Sequence, residues 1–464
     1  MTDIADLPAT ALAAAIRART ISPVAAVEAA LGRIEVRADL NAFVTVTAER
    51  ARAAARSAEQ AVMAGEEVGP LHGVPYSAKD LIATRDIRTT QGSHVFADFV
   101  PSEDAVAVAR MTAAGAILIG KTTTPEFGHK PEGTSPLTGR TLHPTHPGYS
   151  PGASSTGAAV AVAAGMGPLA LGTDGGGSIR IPAACCGVVG MKATLGAIPH
   201  LQLPDLFGAN SYVGPMARDV ADTALMFEAI AGFDNRDPYG QARLPAQQAF
   251  TSLRGLRVGW LPRGGARVER EVAAITAAAV RRVADQGAIV EEIEIDFKAM
   301  EGAFLTTLRV GLAARVGPHV AKFGDRMDAT LIDRIEQGRR CSGIDVAEAA
   351  FARTAMFRTL QDALATCDVI ISPTLTAPPL PIGIDTHGEI EIDGVLSGTV
   401  RGAWYPFTFP LNLTGHPAIS IPCGRTGIGL PVGLQILTRW HQDRYLLAVA
   451  GLVESSLQTA SRDL

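Results

Sequence analysis

The 464-residue sequence has no H-E-x-x-H pair, no G-x-S-x-G elbow and no Walker lysine, although it holds ten histidines and 48 glycines. His143 and His146 sit among prolines, so they cannot form a helical metal pair. Cys/His spacing for zinc is also missing, which argues against a metal site. The residues after Gly177 are Ser178, Ile179 and Arg180, which breaks the G-x-G-x-x-G pattern of dinucleotide binders. Without the nucleophile elbow, a Ser-His-Asp triad has no support in the sequence.

Charge is scarce as well. Only 19% of residues are charged, the formal net charge is −5, and no five or six like charges run together. Nucleic acid and anionic membrane surfaces are therefore poor matches as partners. No uninterrupted apolar run reaches about 18 residues; the best candidate, residues 158–171, is short and broken by Gly and Pro. Residues 1–11 carry Asp3 and Asp6 and no basic stretch, unlike a secretory signal. The five cysteines are odd in number and lack paired spacing, which fits reduced thiols in a cytoplasmic protein. Adjacent Cys185 and Cys186 are expected to pack as small apolar side chains.

What is abundant is apolar sequence, at 47% of residues. Ser22-Pro23 reads as an N-cap followed by proline at the first helical position, with Val24, Val27, Leu31 and Ile34 at helical spacing. A second helix is expected over residues 48–64. The order helix, Gly, apolar strand, polar loop then recurs around residues 104–127 and 268–295, and without the Gly around 346–374. This alternation predicts an α/β fold, a large mixed and mostly parallel twisted sheet covered by helices on both faces. A single domain over 1–464 is expected, with a helical N-terminal segment over about 1–65 and a helical insertion over about 300–360. Residues 200–212 and 375–400 read as variable loops, where substrate choice tends to reside.

The densest signal lies between Ser150 and Lys192. Two glycine- and hydroxyl-rich knots, Gly152 to Gly157 and Thr173 to Ser178, flank one apolar segment. Glycine runs cost chain entropy, so they mark tight turns or places where backbone must approach something closely. A serine hydroxyl needs a base to become a nucleophile, and with histidine and metal set aside the remaining candidate is lysine. Lysine can serve only when neutral, which burial promotes. Lys79 stands in an apolar strand-like run, where it is either desolvated or paired with Asp80 at a surface strand end. Ser178 follows three glycines whose N–H groups can converge on a developing oxyanion. Pro182 marks a helix start just beyond it. Asp174 and Arg180 flank Ser178 and read as a structural ion pair that fixes the loop.

These segments resemble the amidase signature family. Gly152-Ala-Ser-Ser-Thr-Gly157 with its alanine-rich continuation is similar to the family's G-G-S-S-G-G-S region, apart from Ala153, Thr156 and Ala158. Gly172-Thr-Asp-Gly-Gly-Gly-Ser-Ile-Arg-Ile-Pro-Ala183 resembles its G-T-D-x-G-G-S-I-R-x-P-A motif. Gly73-Val-Pro-Tyr-Ser-Ala-Lys-Asp80 resembles its G-x-P-x-x-x-K-D. The match runs from about residue 20 to the C-terminus. The resemblance implies Ser178 as nucleophile, Ser154 as a bridging serine after a cis peptide bond, and Lys79 as base. It places the oxyanion hole at the backbone N–H groups of Gly175, Gly176, Gly177 and Ser178, with no cofactor.

The implied activity is hydrolysis of carbon–nitrogen bonds through an acyl-enzyme on a small hydrophobic or aryl amide or anilide, by a monomer or homodimer. A carbamate (urethane) is the alternative substrate. The glutamine-hydrolysing subunit of a tRNA-dependent amidotransferase is the alternative assembly, although Thr123-Thr-Pro-Glu126 resembles stand-alone amidases. Substrate contacts are expected from Gly128, Leu203, Phe207 and Trp404. The cluster Trp404, Tyr405, Phe407 and Phe409 either lines a pocket or fills the core.

Overall fold

The computed structural model describes residues 3–208, 210–240 and 250–459. Eleven strands form one sheet among them: β1 (Phe43–Val46), β2 (Pro75–Lys79), β3 (Ile117–Thr122), β4 (Leu169–Asp174), β5 (Val189–Lys192), β6 (Tyr212–Ala217), β7 (Arg257–Trp260), β8 (Ile289–Glu292), β9 (Val369–Pro373), β10 (Ala418–Arg425) and β11 (Pro431–Leu437). Their order across the sheet is β1-β3-β2-β4-β6-β5-β10-β11-β9-β7-β8. Strands β2, β4, β5, β6, β9 and β11 are buried along their whole length. Covered on both faces by helices, such strands read as apolar runs rather than as alternating patterns.

The sheet is mixed. Parallel pairs gather in its two wings, β3-β2-β4 and β9-β7-β8, and this is where the sequence shows helix–strand alternation. The centre, from β4 through β6, β5, β10 and β11 to β9, is antiparallel. There a strand can return through a short link, as β10 does to β11, without a crossover helix.

Local chemistry sets the helix ends. Ser22 Oγ accepts from the N–H groups of Val24 and Ala25, with Pro23 opening the helix Pro23–Val36. The helix Ala48–Ala64 closes on Gly65 at φ 76°. The N-terminal segment also contributes β1, which pairs antiparallel with β3. The helix Thr156–Ala163 is buried at every position but its last. A Cβ at its Gly157 would lie 2.3 Å from Ala42 O and 2.5 Å from Thr123 N, so only glycine lets this helix seat there.

Between β8 and β9 the chain forms the helices Glu301–Arg315, Ala329–Arg339 and Gly343–Thr366. Ser342 and Asp345 close a capping box at the start of the last. Leu312, Val316, Leu331 and Ile335 form an apolar cluster that includes Phe127 from the loop after β3. Three polar links tie the same loop to these helices. Glu126 accepts from Asp328 N at 2.7 Å, Lys130 pairs with Asp328 at 2.6 Å, and His129 Nε2 lies 2.8 Å from Thr330 Oγ1. The helical segment is thereby drawn over the end of the sheet where Lys79 and Asp174 finish β2 and β4. No described helix is long and apolar enough to cross a membrane.

Candidate active site

Lys79 is the last residue of β2 and is completely buried. Its Nζ lies 2.7 Å from Ser154 Oγ, 2.8 Å from Thr173 Oγ1, 3.1 Å from Ser155 Oγ and 3.4 Å from Thr173 O. Each of these four partner atoms is a neutral oxygen. The pairing with Asp80 does not form, because Asp80 accepts instead from Thr90 N and Thr90 Oγ1. Burial pushes the Lys79 ammonium well below its ordinary pKa, against the opposing pull of the Asp174 carboxylate.

The Ala153–Ser154 peptide is cis, and Ser154 is buried beside the lysine. Ser155 Oγ donates to Thr173 O at 3.0 Å and accepts from Thr173 N at 3.1 Å. This bond pair stitches the first knot to the end of β4. Ser155 N donates to Ser178 O at 2.9 Å, which joins the first knot to the second. Ser178 is half-buried and lines a cavity of about 750 Å³ shared with Ser154, Gly175 and Gly176. Its hydroxyl makes no hydrogen bond to another described residue in this structure.

Asp174 holds the glycine loop from below. It accepts from Gly177 N at 2.6 Å and Ile179 N at 3.2 Å, and from Arg180 Nε at 3.0 Å and Nη2 at 3.1 Å. Both partners of this ion pair are fully buried. Burial alone would raise the Asp174 pKa, but the Arg180 charge and the hydrogen bonds outweigh it and hold the group well below the usual carboxylate range. Asn412 and Gln435 complete the frame by accepting from Arg180 at 2.7 and 2.8 Å.

The expected oxyanion donors need one correction. Gly177 N–H is consumed by Asp174, so it is not free for an oxyanion. The N–H groups of Gly175, Gly176 and Ser178 find no acceptor among the described residues. Gly177 instead serves the backbone, at φ 116° with its Cα facing Thr408. Thr408 Oγ1 lies 2.8 Å from Gly176 O and fixes the next peptide.

Of the expected substrate contacts, Gly128 and Leu203 line the cavity. Gly128 stands at φ 67°, and a Cβ there would come within 3.0 Å of Ser154 Oγ. Two contacts are corrected. Trp404 is 1% exposed and lies in the apolar core with Phe407 and Phe409, its Nε1 donating to Ala377 O at 3.1 Å. Phe207 is 74% exposed and lies outside the cavity wall. Tyr405 alone of the aromatic cluster reaches the cavity. Sequence reasoning missed Ser155 and Thr173 as neighbours of Lys79, and Thr408, Asn412 and Gln435 as braces. Ser155 and Thr173 stand inside the two knots and were legible there; the other three come from more than 220 positions away.

A buried lysine with a lowered pKa, a serine hydroxyl at its Nζ, and a second serine facing a cavity beside free N–H groups together define a serine hydrolase served by lysine rather than histidine. Comparison with known proteins agrees. A family model described as Amidase matches residues 25–447. An acylamidase of Rhodococcus erythropolis is 37% identical over 457 residues, covering 97% of this chain and 95% of that protein. A glutamyl-tRNA(Gln) amidotransferase subunit of Chloroflexus aurantiacus is 34% identical, covering 97% and 96%. The crystal structure of a bacterial aryl acylamidase of the amidase signature family superposes with a TM-score of 0.90 at 29% identity, over 97% of this chain and 96% of that one. The chain belongs to the amidase signature family, and it is a hydrolase acting on non-peptide C–N bonds.

Proposed function

We propose that this protein is a stand-alone amidase that hydrolyses a small amide or anilide, with Ser178 as nucleophile, Ser154 as proton relay and Lys79 as base. The observation that carries this is the 2.7 Å contact between a buried, carboxylate-free Lys79 Nζ and Ser154 Oγ. A neutral amine there donates to the oxygens of Thr173 and Ser155 and keeps its lone pair for the Ser154 proton. Ser154 in turn takes the proton of Ser178, whose Oγ attacks the carbonyl carbon. The two hydroxyls come within hydrogen-bond reach as bound substrate orients the nucleophile, a contact that often tightens only in the complex.

The C–O bond to Ser178 forms as the carbonyl oxygen gains charge, and the N–H groups of Gly175, Gly176 and Ser178 receive that oxyanion. The relay then runs backward. Lys79 returns its proton through Ser154 to the departing nitrogen, the C–N bond breaks, and ammonia or an amine leaves. Water, deprotonated by the same relay, attacks the acyl-Ser178 ester and releases the acid. Asp174 and Arg180 keep the loop in register without touching the reacting atoms.

Similarity to the acylamidase and the aryl acylamidase supports an amide or anilide substrate. The match to glutamyl-tRNA(Gln) amidotransferase subunits keeps that assembly as the rival. A panel of a primary amide, a 4-nitroanilide and an aryl carbamate, assayed on the purified chain alone, separates the two. Release of nitroaniline or ammonia by the isolated protein is the expected result. Glutamine hydrolysis that appears only with partner subunits overturns the stand-alone reading.

A further inference from the structure

The cavity that holds Ser178 also contains a cation the hydrolysis does not use. Arg401 lies in the short helix Val400–Trp404 and is 6% exposed, yet it is one of the cavity's walls. Its Nη2 donates to His129 O at 2.7 Å. Its Nε is enclosed with no partner, and no described carboxylate comes within 4.0 Å of its guanidinium. Glu103 and Asp205 also line the cavity, but neither reaches it.

Position makes this cation relevant to substrate. His129 follows Gly128, whose Cα side faces Ser154. On the other flank the Arg401 guanidinium lies 5.8 Å from the Phe304 ring centroid, and the edge of that ring covers Gly176, where a Cβ would come within 2.5 Å of it. Arg401 is thus linked to Ser154 through His129 and Gly128, and to the Ser178 loop through Phe304 and Gly176. Tyr405, its other aromatic neighbour at 6.0 Å, faces the same space.

The surroundings behind Arg401 deepen the imbalance. Arg334 is 6% exposed with an unpartnered Nε, and burial together with the charges of Arg401 and Arg309 pushes it down to about 10. His387 is held down by burial and by Arg334 and Arg401. A buried guanidinium without a carboxylate is costly, and an anion entering the cavity would relieve that cost. One guanidinium beside one phenol matches the two oxygens of a carboxylate, while Phe127, Leu308 and Leu312 offer an apolar wall for the rest of the molecule.

We propose that the substrate is an amide that also bears a carboxylate, and that Arg401 binds this carboxylate while the amide carbonyl meets Ser178. The proposal rests on the amide-hydrolase reading above. It makes Arg401 the residue that sets specificity.

Two matched pairs test it. Glutaric acid mono-4-nitroanilide against pentanoic 4-nitroanilide places the carboxylate on the acyl side; 4-acetamidobenzoate against 4-methylacetanilide places it on the amine side. In one pair the acid is expected to exceed its neutral partner in kcat/KM by roughly 10- to 100-fold, the value of a hydrogen-bonded charge. That ratio should collapse in Arg401→Met and return in part in Arg401→Lys. In the wild-type protein glutarate should inhibit competitively and more strongly than pentanamide, a readout that stands even where the variant does not fold. Neutral substrates turned over as well as the acids in both pairs, a ratio unchanged in Arg401→Met, or pentanamide inhibiting more strongly than glutarate overturns the carboxylate and leaves the amidase standing. No turnover of any member overturns both.

Discussion

Alanine in place of Gly177 tests whether the glycine loop is held by its backbone geometry rather than by its sequence motif. The residue stands at φ 116°, where side chains rarely sit, and its new Cβ would lie 2.3 Å from Thr408 Oγ1 and 2.6 Å from Thr408 Cβ. Ordinary contact begins near 3.4 Å, so the loop and Thr408 must separate by 1.1 Å (3.4 − 2.3). Thr408 cannot yield cheaply, because its hydroxyl holds Gly176 O at 2.8 Å. Asp174 grips Gly177 N from the other side at 2.6 Å. The strained φ costs about 1–3 kcal/mol and the overlap about 1–3 kcal/mol more. A displacement near 1 Å at the neighbouring oxyanion donors should lower kcat by roughly 10²-fold. Initial rates on a 4-nitroanilide, with urea unfolding on the same preparation, measure both terms. Gly177→Ala with wild-type kcat/KM and an unshifted unfolding midpoint would show that the loop accommodates a side chain there and is not held by its backbone geometry.

Further outcomes follow from the charges. In the proposed relay Lys79 acts only when neutral, and burial lowers its pKa well below the ordinary lysine value, so kcat/KM should rise as pH climbs through that lowered value and then level off. Lys79→Arg keeps a cation that never deprotonates and should lose roughly 10²- to 10⁴-fold together with the acid limb; a flat wild-type profile from acid to alkaline contradicts this. In Asp174→Asn the carboxylate that raises the Lys79 pKa is gone, so the acid limb should move to lower pH, and movement to higher pH contradicts the assignment. The same variant leaves Arg180 buried without its counter-charge, a loss of about 3–5 kcal/mol by urea unfolding. Since the folded pKa of Asp174 lies below its unfolded value, the wild-type advantage is full above about pH 4 and shrinks only as pH falls further.

The two knots and Lys79 were legible because their chemistry is local: glycine, hydroxyl and proline act on the residues beside them. The wings of the sheet were legible for a related reason, since a crossover helix between parallel strands leaves its own period in the sequence. What escaped is non-local. The antiparallel centre is built from strands β5, β6, β10 and β11, whose pairing spans more than 200 positions at β5-β10 and has no helical spacer to announce it. Gly177 looked like an oxyanion donor by adjacency, but the neighbouring Asp174 turns back on it. Trp404 and Tyr405 are adjacent in sequence and both pack in the apolar core, yet only Tyr405, just past the end of the short helix Val400–Trp404, also lines the cavity. Arg401 carries no motif at all. That no described carboxylate comes within 4.0 Å of it is visible only in three-dimensional contacts.

If Ser178 becomes acylated with Lys79 as its base, an active-site-directed covalent label should report both residues. The wild-type protein treated with a fluorophosphonate, digested and analysed by mass spectrometry should carry one adduct, on Ser178. Ser178→Ala should carry none, and Lys79→Arg should label far more slowly at the same site. An adduct on Ser154 or Ser155 with Ser178 unmodified would show that Ser178 is not the nucleophile, and equal labelling of Lys79→Arg would show that Lys79 is not its base.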